Sequence, residues 1–332
     1  MLSLRDAMFA VDDTQPVQLI QTLKRDFWPS LPKTADGKRS LRAFAKRYSE
    51  AGAKLRALSK GSKNQWKHIT RQDLVTQLRP RLRDPGIIRQ NPTGLCGPLA
   101  VIVELARRRP AEYVRAITEL LEQGILTTTG GKVIKAEQEL RDEPIAKMTV
   151  FQDQIEEADW ILAATMRDDA NLSEDVDDDA NGIESITLWG AMSDWTEQMI
   201  GLKYHWETCF VSGELNAIRE AQKAVNDGGI AFLLVDSDLI NDGSVDGEDE
   251  EEMWWSRRSH FATGIGKFGK KIHCRDDNPP PDHWVLFLGG LQLPSDGTIS
   301  MLVWSWGGEY QLTGTADSFT EYLYAVVTGR PK

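Results

Sequence analysis

The residue best placed for chemistry is Cys96, in the run Gln90-Asn91-Pro92-Thr93-Gly94-Leu95-Cys96-Gly97-Pro98-Leu99. Leu99, Ile102, Val103 and Ala106 follow at i, i+3, i+4 and i+7, which predicts a helix with one apolar face. Gly94, Gly97 and Pro98 bend the chain into that helix, and proline is tolerated in a first turn. A thiol there meets the positive end of the helix dipole and unpaired backbone N–H groups. That setting favours the thiolate, which is the nucleophilic form. Gln90 lies just upstream and carries a side-chain amide that can donate to an oxyanion beside the sulfur. The competing reading is a structural cysteine at a helix start, because cysteine is among the most buried residue types.

The second candidate is His283. Asp282-His283-Trp284-Val285-Leu286-Phe287-Leu288-Gly289-Gly290 reads as a strand that opens at the imidazole. Pro294-Ser295-Asp296-Gly297 reads as a turn, and Ile299 to Gly308 as the antiparallel partner strand. Side chains alternate along a strand, so Trp304 and Ser305 are expected on opposite faces. Taken alone, His283 reads as a core histidine with its hydrogen bonds satisfied. Trp304 and Trp306 likewise read as core before substrate contacts.

Other ligand patterns are weak. His205, His260, His273, Cys209 and Cys274 lack tight ligand spacing, so no metal is expected, and no cofactor. Asp177, Asp179, Asn181 and Gly182 match the opening of a calcium loop, but Leu188 stands where its bidentate carboxylate belongs. The acidic stretch from Asp242 to Glu252 has Met253 at that place. Both read as solvated loops.

These groups need elements to hold them. Residues 16–27, 38–59 and 70–83 read as helices rich in lysine and arginine. A helix from Pro110 to Gln123 follows the Cys96 helix, with Gly124 as its cap. Residues 153–167 and 213–227 read as helices, and Ile230 to Asp236 as a buried strand. Residues 254–282 read as a long loop, and Ser318 to Thr328 as a last helix. Net charge is −11 over 332 residues, divided as +11 over residues 1–90 and −22 over the rest. The basic part has few aromatics and no reading motif, so nucleic acid is not expected as a partner. No apolar run is long enough for a membrane span, and no secretory signal is evident at the N-terminus. Three cysteines suit a reducing compartment.

Taken in order, Gln90, the helix-starting Cys96, Asp282-His283 opening a strand and Ser305-Trp306-Gly307 on the next resemble the papain-like cysteine hydrolases. More narrowly, they resemble the divergent papain-fold domains of secreted bacterial toxins and effectors. The resemblance covers residues 90–106 and 282–308. It implies an α+β, papain-like fold: a helical lobe led by the nucleophile helix, packed on an antiparallel sheet. The division is a basic helical extension over 1–89 and a hydrolase domain over 90–332. It implies Cys96, His283 and Gln90 as catalytic residues, with Trp284, Trp304 and Trp306 lining the substrate site. The family's asparagine falls on Trp304, so a third member would come from Asp282, Asp236 or Asp296, or be dispensable. The expected activity is amide hydrolysis on a protein substrate in a target cell, as protease or Gln/Asn deamidase. The protein would be held in the bacterial cytoplasm before export without a signal peptide, and a cognate inhibitor or immunity protein would accompany it. The alternative is a catalytically degenerate papain-fold module that docks a partner protein.

A helix start lowers a thiol's pKa, and Cys209 and Cys274 have no such setting. Iodoacetamide at mildly acid pH is therefore expected to label Cys96 first, read by peptide mass spectrometry. Equal or slower labelling of Cys96 contradicts the catalytic assignment.

Overall fold

A computed structural model describes residues 35–89, 94–145, 155–170, 189–208, 213–235, 255–257, 283–295, 297–316 and 322–331, together with Leu239 and Phe319. The expected helix 16–27, both acidic loops, Gln90, Asp236, Asp282, Asp296, Cys209 and Cys274 lie outside the described residues.

Two helices open the described chain, α1 (Ala35–Lys60) and α2 (Arg71–Arg83). On α1, Tyr48, Ala51, Leu55 and Leu58 recur every three or four residues and are buried. Thr70 caps α2 by accepting from the Asp73 N–H, a helix-start bond of the usual kind. The Cys96 helix, α3 (Cys96–Arg108), and α4 (Pro110–Gln123) follow. Pro110 begins α4 and Gly124 ends it at φ 67°, a left-handed cap that glycine adopts without strain. Leu55, Leu58, Leu78 and Leu82 belong to the same hydrophobic core as Leu99 and Ile102. The core therefore runs without interruption across residue 90.

A small hairpin, β1 (Ile125–Thr127) with β2 (Val133–Lys135), precedes α5 (Gln138–Asp142) and α6 (Glu157–Ala170). Then come α7 (Trp189–Trp195), a π-helical turn over Thr196–Ile200, β3 (Lys203–Thr208) and α8 (Glu214–Asn226). The remaining strands are β4 (Ile230–Val235), β5 (Trp255–Arg257), β6 (His283–Gln292), β7 (Thr298–Ser305), β8 (Gly308–Thr315) and β9 (Leu323–Arg330). They form one sheet in the order β3-β9-β4-β6-β7-β8-β5, antiparallel at every junction. The architecture is α+β: mixed helix and antiparallel sheet.

One expectation is overturned here. Of the helix expected over Ser318 to Thr328, Phe319 and Tyr322 are helical, but from Leu323 the chain is strand β9, between β3 and β4. Both faces of β9 are covered, so its apolar residues run continuously and chance to satisfy helical spacing. The β-branched pair Val326-Val327 with Thr328 was the strand signal.

The sheet separates two cores. Phe232, Leu234, Trp284, Leu286 and Trp304 face the helical lobe. Leu233, Val235, Val285, Phe287 and Val303 face the opposite side, where Ala217, Ile218 and Ala221 of α8 cover them. Alternation along each strand sorts the residues, as the pleat requires.

Inside the lobe is a fully buried carboxylate. Asp159 of α6 is 0% exposed and Arg81 of α2 is 3% exposed. Arg81 donates to it through Nε and Nη2, both at 2.6 Å, and through Nη1 to Glu156 at 2.9 Å. The Arg89 backbone N–H donates to Asp159 at 3.1 Å. Burial weakens the Arg81 proton affinity, but the bonds and charge of Asp159 outweigh this and drive it upward. Removing one member strands the other charge in a dry interior. Arg81→Ala is therefore expected to cost about 3–5 kcal/mol, read by urea unfolding, and Arg81→Lys most of that because the bidentate fork is lost. A loss under about 1 kcal/mol in Arg81→Ala contradicts this role.

Candidate active site

Cys96 occupies the first residue of α3 and is 2% exposed. No side chain caps this helix start, and its first turn holds no acidic residue. The dipole's positive end is therefore left to the thiol itself. The helix is held along the sheet at its other end: Arg108 donates to the carbonyls of Gly228 and Gly229, just before β4. At the other end of β4, His283 is the residue paired with Val235.

His283 begins β6, 3% exposed. Its Nε2 lies 2.6 Å from Ser305 Oγ, and its ring stacks on Trp306 at 4.7 Å and 28°. Ser305 ends β7 and is 0% exposed. Trp306 and Gly307 form the two-residue turn to β8, both left-handed, at φ 42° and 79°. Glycine takes that conformation freely; tryptophan does so under strain, and the stack on His283 offsets it. Burial pushes the His283 imidazole down to about 3, so the ring is neutral at ordinary pH.

Register fixes where these groups face. His283 pairs with Val235 and shares its side of the sheet with Val285, the α8 side. Cys96 belongs to the core on the other side. The structure brings His283, Ser305 and Trp306 together, and puts the thiol in the core on the other face of the sheet.

Trp304 and Ser305 do face opposite ways. Trp304 is in the helical-lobe core and donates from Nε1 to the Gly86 carbonyl at 2.7 Å. Trp284 is in the same core and 0% exposed. Both are buried, whereas Trp306 is part-buried and retains a solvent-facing portion. Ser305 is the residue that sequence reasoning passed over. Its partner was sought among the aspartates, although its parity with His283 on adjacent strands was readable from the hairpin. Arg167 is the second such residue: it lies in the last turn of α6 and is 7% exposed, and burial lowers its proton affinity.

The segment before Cys96 is held from two sides. Asp159 takes the Arg89 N–H, and the Arg89 side chain lies against Gly307, where a Cβ would come within 3.1 Å of it. Gln90 follows directly. Among the described residues, no group of three His, Cys, Asp or Glu is placed to hold a metal ion. No helix among them is long and apolar enough to cross a membrane. No protein-family model matches the chain, and no curated protein sequence matches it either.

The folded chain keeps His283 neutral, whereas the unfolded chain titrates near the ordinary value of 6.5. Below that pH the unfolded state binds a proton that the folded state refuses. Stability is therefore expected to fall from about pH 6.5 downward, levelling near pH 3. Between pH 7 and pH 5 the loss from this group is on the order of 2 kcal/mol. Urea unfolding at both pH values should show His283→Gln losing less than the parent; equal losses contradict a buried neutral ring.

Proposed function

We propose that the chain is a cysteine hydrolase acting on an amide bond of a protein substrate, with Cys96 as nucleophile. The observation that carries this is the thiol's position, in an uncapped first helical turn free of acidic residues. The order of Gln90, Cys96, His283 and Ser305-Trp306-Gly307 supports it further, through the resemblance to papain-like enzymes.

In the reaction the Cys96 sulfur attacks the amide carbonyl carbon, and the carbonyl π pair moves to oxygen. The Cys96 backbone N–H and the Gln90 side chain stabilise that oxyanion. Collapse expels the amine, which takes a proton through His283, the acid–base group, on the ring edge that Ser305 does not hold. Water then attacks the thioester and returns the free thiol. A peptide leaving group makes this proteolysis, and ammonia from Gln or Asn makes it deamidation. An amine in place of water makes it transglutamination. The papain-like assignment, the role of a secreted bacterial toxin or effector in a target cell, and a dedicated inhibitory partner belong to the same proposal.

A second reading is a papain-fold binding module that docks a partner protein. It is favoured by the position of His283 on the sheet face away from α3, and by Trp304 where the family carries asparagine.

The two readings separate by mutation. Cys96→Ala is expected to abolish activity, His283→Ala to cost nearly as much, and Gln90→Ala on the order of 10²-fold. Circular dichroism should show all three folded. The measurement is the host proteome after cytosolic expression of wild type beside Cys96→Ala, in a bacterium and in a eukaryotic cell. Cleaved or deamidated host proteins with wild type alone are expected. Identical proteomes overturn the hydrolase reading and leave the binding module.

A further inference from the structure

Among the described residues the large sheet ends on two strands with no neighbour on their outer side, β3 and β5. β5 runs only from Trp255 to Arg257, too short a stretch to template another strand. β3 runs from Lys203 to Thr208 and pairs with β9 along its whole length without a register shift. It carries neither a proline nor a bulge, the devices that commonly blunt an edge. Lys203, Tyr204 and His205 are all exposed, Tyr204 by 41%. Successive side chains leave a strand on opposite faces, so both faces of the ribbon are open there.

The backbone shows which groups of β3 the sheet leaves unused. The His205 carbonyl accepts from the Thr328 hydroxyl of β9 at 3.2 Å, so it is turned toward β9. Main-chain directions alternate along a strand, which turns the N–H and C=O of Tyr204 and Trp206 to the outer edge. An added antiparallel strand must meet them with outward-turned residues of its own. Two copies of β3 related by a twofold axis at His205 do so. Tyr204 then stands opposite the second copy's Trp206, and Trp206 opposite its Tyr204. Each such pair exchanges both main-chain hydrogen bonds. The same register sets Lys203 opposite Glu207 on either side of the axis. An axis at Trp206 would leave Lys203 outside the strand pairing, and one at Tyr204 would leave out Glu207.

We propose that β3 is a dimerisation edge, through which two copies of this chain join their sheets by antiparallel β3–β3 pairing centred on His205. Opposite charges and paired aromatic residues are the cross-strand combinations that stabilise an antiparallel ladder, and the sequence Lys-Tyr-His-Trp-Glu supplies both to itself. The contact is isologous, so it closes on two copies and leaves no β3 edge for a third. One strand a side makes a small interface, so assembly depends on concentration and falls at roughly 1 to 100 μM. The inference does not involve Cys96 and stands apart from the hydrolase reading.

The experiment is sedimentation velocity of the full chain across that concentration range, with hydrogen exchange read at both ends of it. A monomer passing to a dimer is expected, with slower exchange over Lys203–Thr208 at the higher concentration. Lys203→Glu sets acids opposite one another and should weaken the dimer on the order of tenfold or more. Adding Glu207→Lys should restore it. Tyr204→Pro removes an outward N–H that β9 does not use, so the chain should fold by circular dichroism and stay monomeric. If Tyr204→Pro does not fold, the exchanged charges still decide the matter. A monomer at every concentration overturns the inference and leaves the edge to an extended segment of another protein. A dimer unmoved by Lys203→Glu, or one that Glu207→Lys does not restore, overturns it as well.

Discussion

The helical lobe is organised around one carboxylate that has no contact with water. Asp159 is fully buried, and it is tolerable there because three donors converge on it: two from Arg81 and one from the Arg89 backbone. Each bond ties down a different part of the chain. Arg81 joins α2 to α6, across 78 residues of sequence. The second ties down Arg89, whose side chain lies against the Gly307 turn of the sheet. A charge that must be satisfied thus links three pieces: the basic N-terminal helices, the segment carrying Gln90 toward α3, and the hairpin that holds the imidazole.

The two-sided sheet sets the chemistry in the same way. Alternation gives Trp304 to the helical lobe and Ser305 to His283, one residue apart. It also puts the thiol's core and the imidazole on opposite faces of the sheet. Burial then decides protonation. The imidazole, cut off from water, gives up its proton.

Much of this was legible in the sequence where periodicity and caps agree. The spacing after Cys96, Pro110 with Gly124, and the leucines Leu74, Leu78 and Leu82 gave helices within a residue or two of those found. The His283 strand and its antiparallel partner were equally readable, because glycine and proline punctuate them. β9 was misread because a strand buried on both faces has no alternation to display, and apolar residues at three- and four-residue spacing then imitate a helix. The Arg81–Asp159 pair had only an indirect signal: Arg81 shares its helix face with Leu74 and Leu78, and Asp159 sits between Ala158 and Trp160. A charge on an apolar face announces a partner without naming it. Arg167 was hidden for the same reason, and Ser305 because the third group was sought among carboxylates.

The central claim is that Cys96 carries out acyl transfer, and an activated acyl donor tests it without knowledge of the substrate. The full chain mixed with p-nitrophenyl acetate is expected to release a burst of p-nitrophenolate equal to the protein present. The acetyl group should map to Cys96 by mass spectrometry as a thioester that hydroxylamine removes, and Cys96→Ser should give no burst. No burst from the wild type, or acetylation shared evenly with Cys209 and Cys274, contradicts the account.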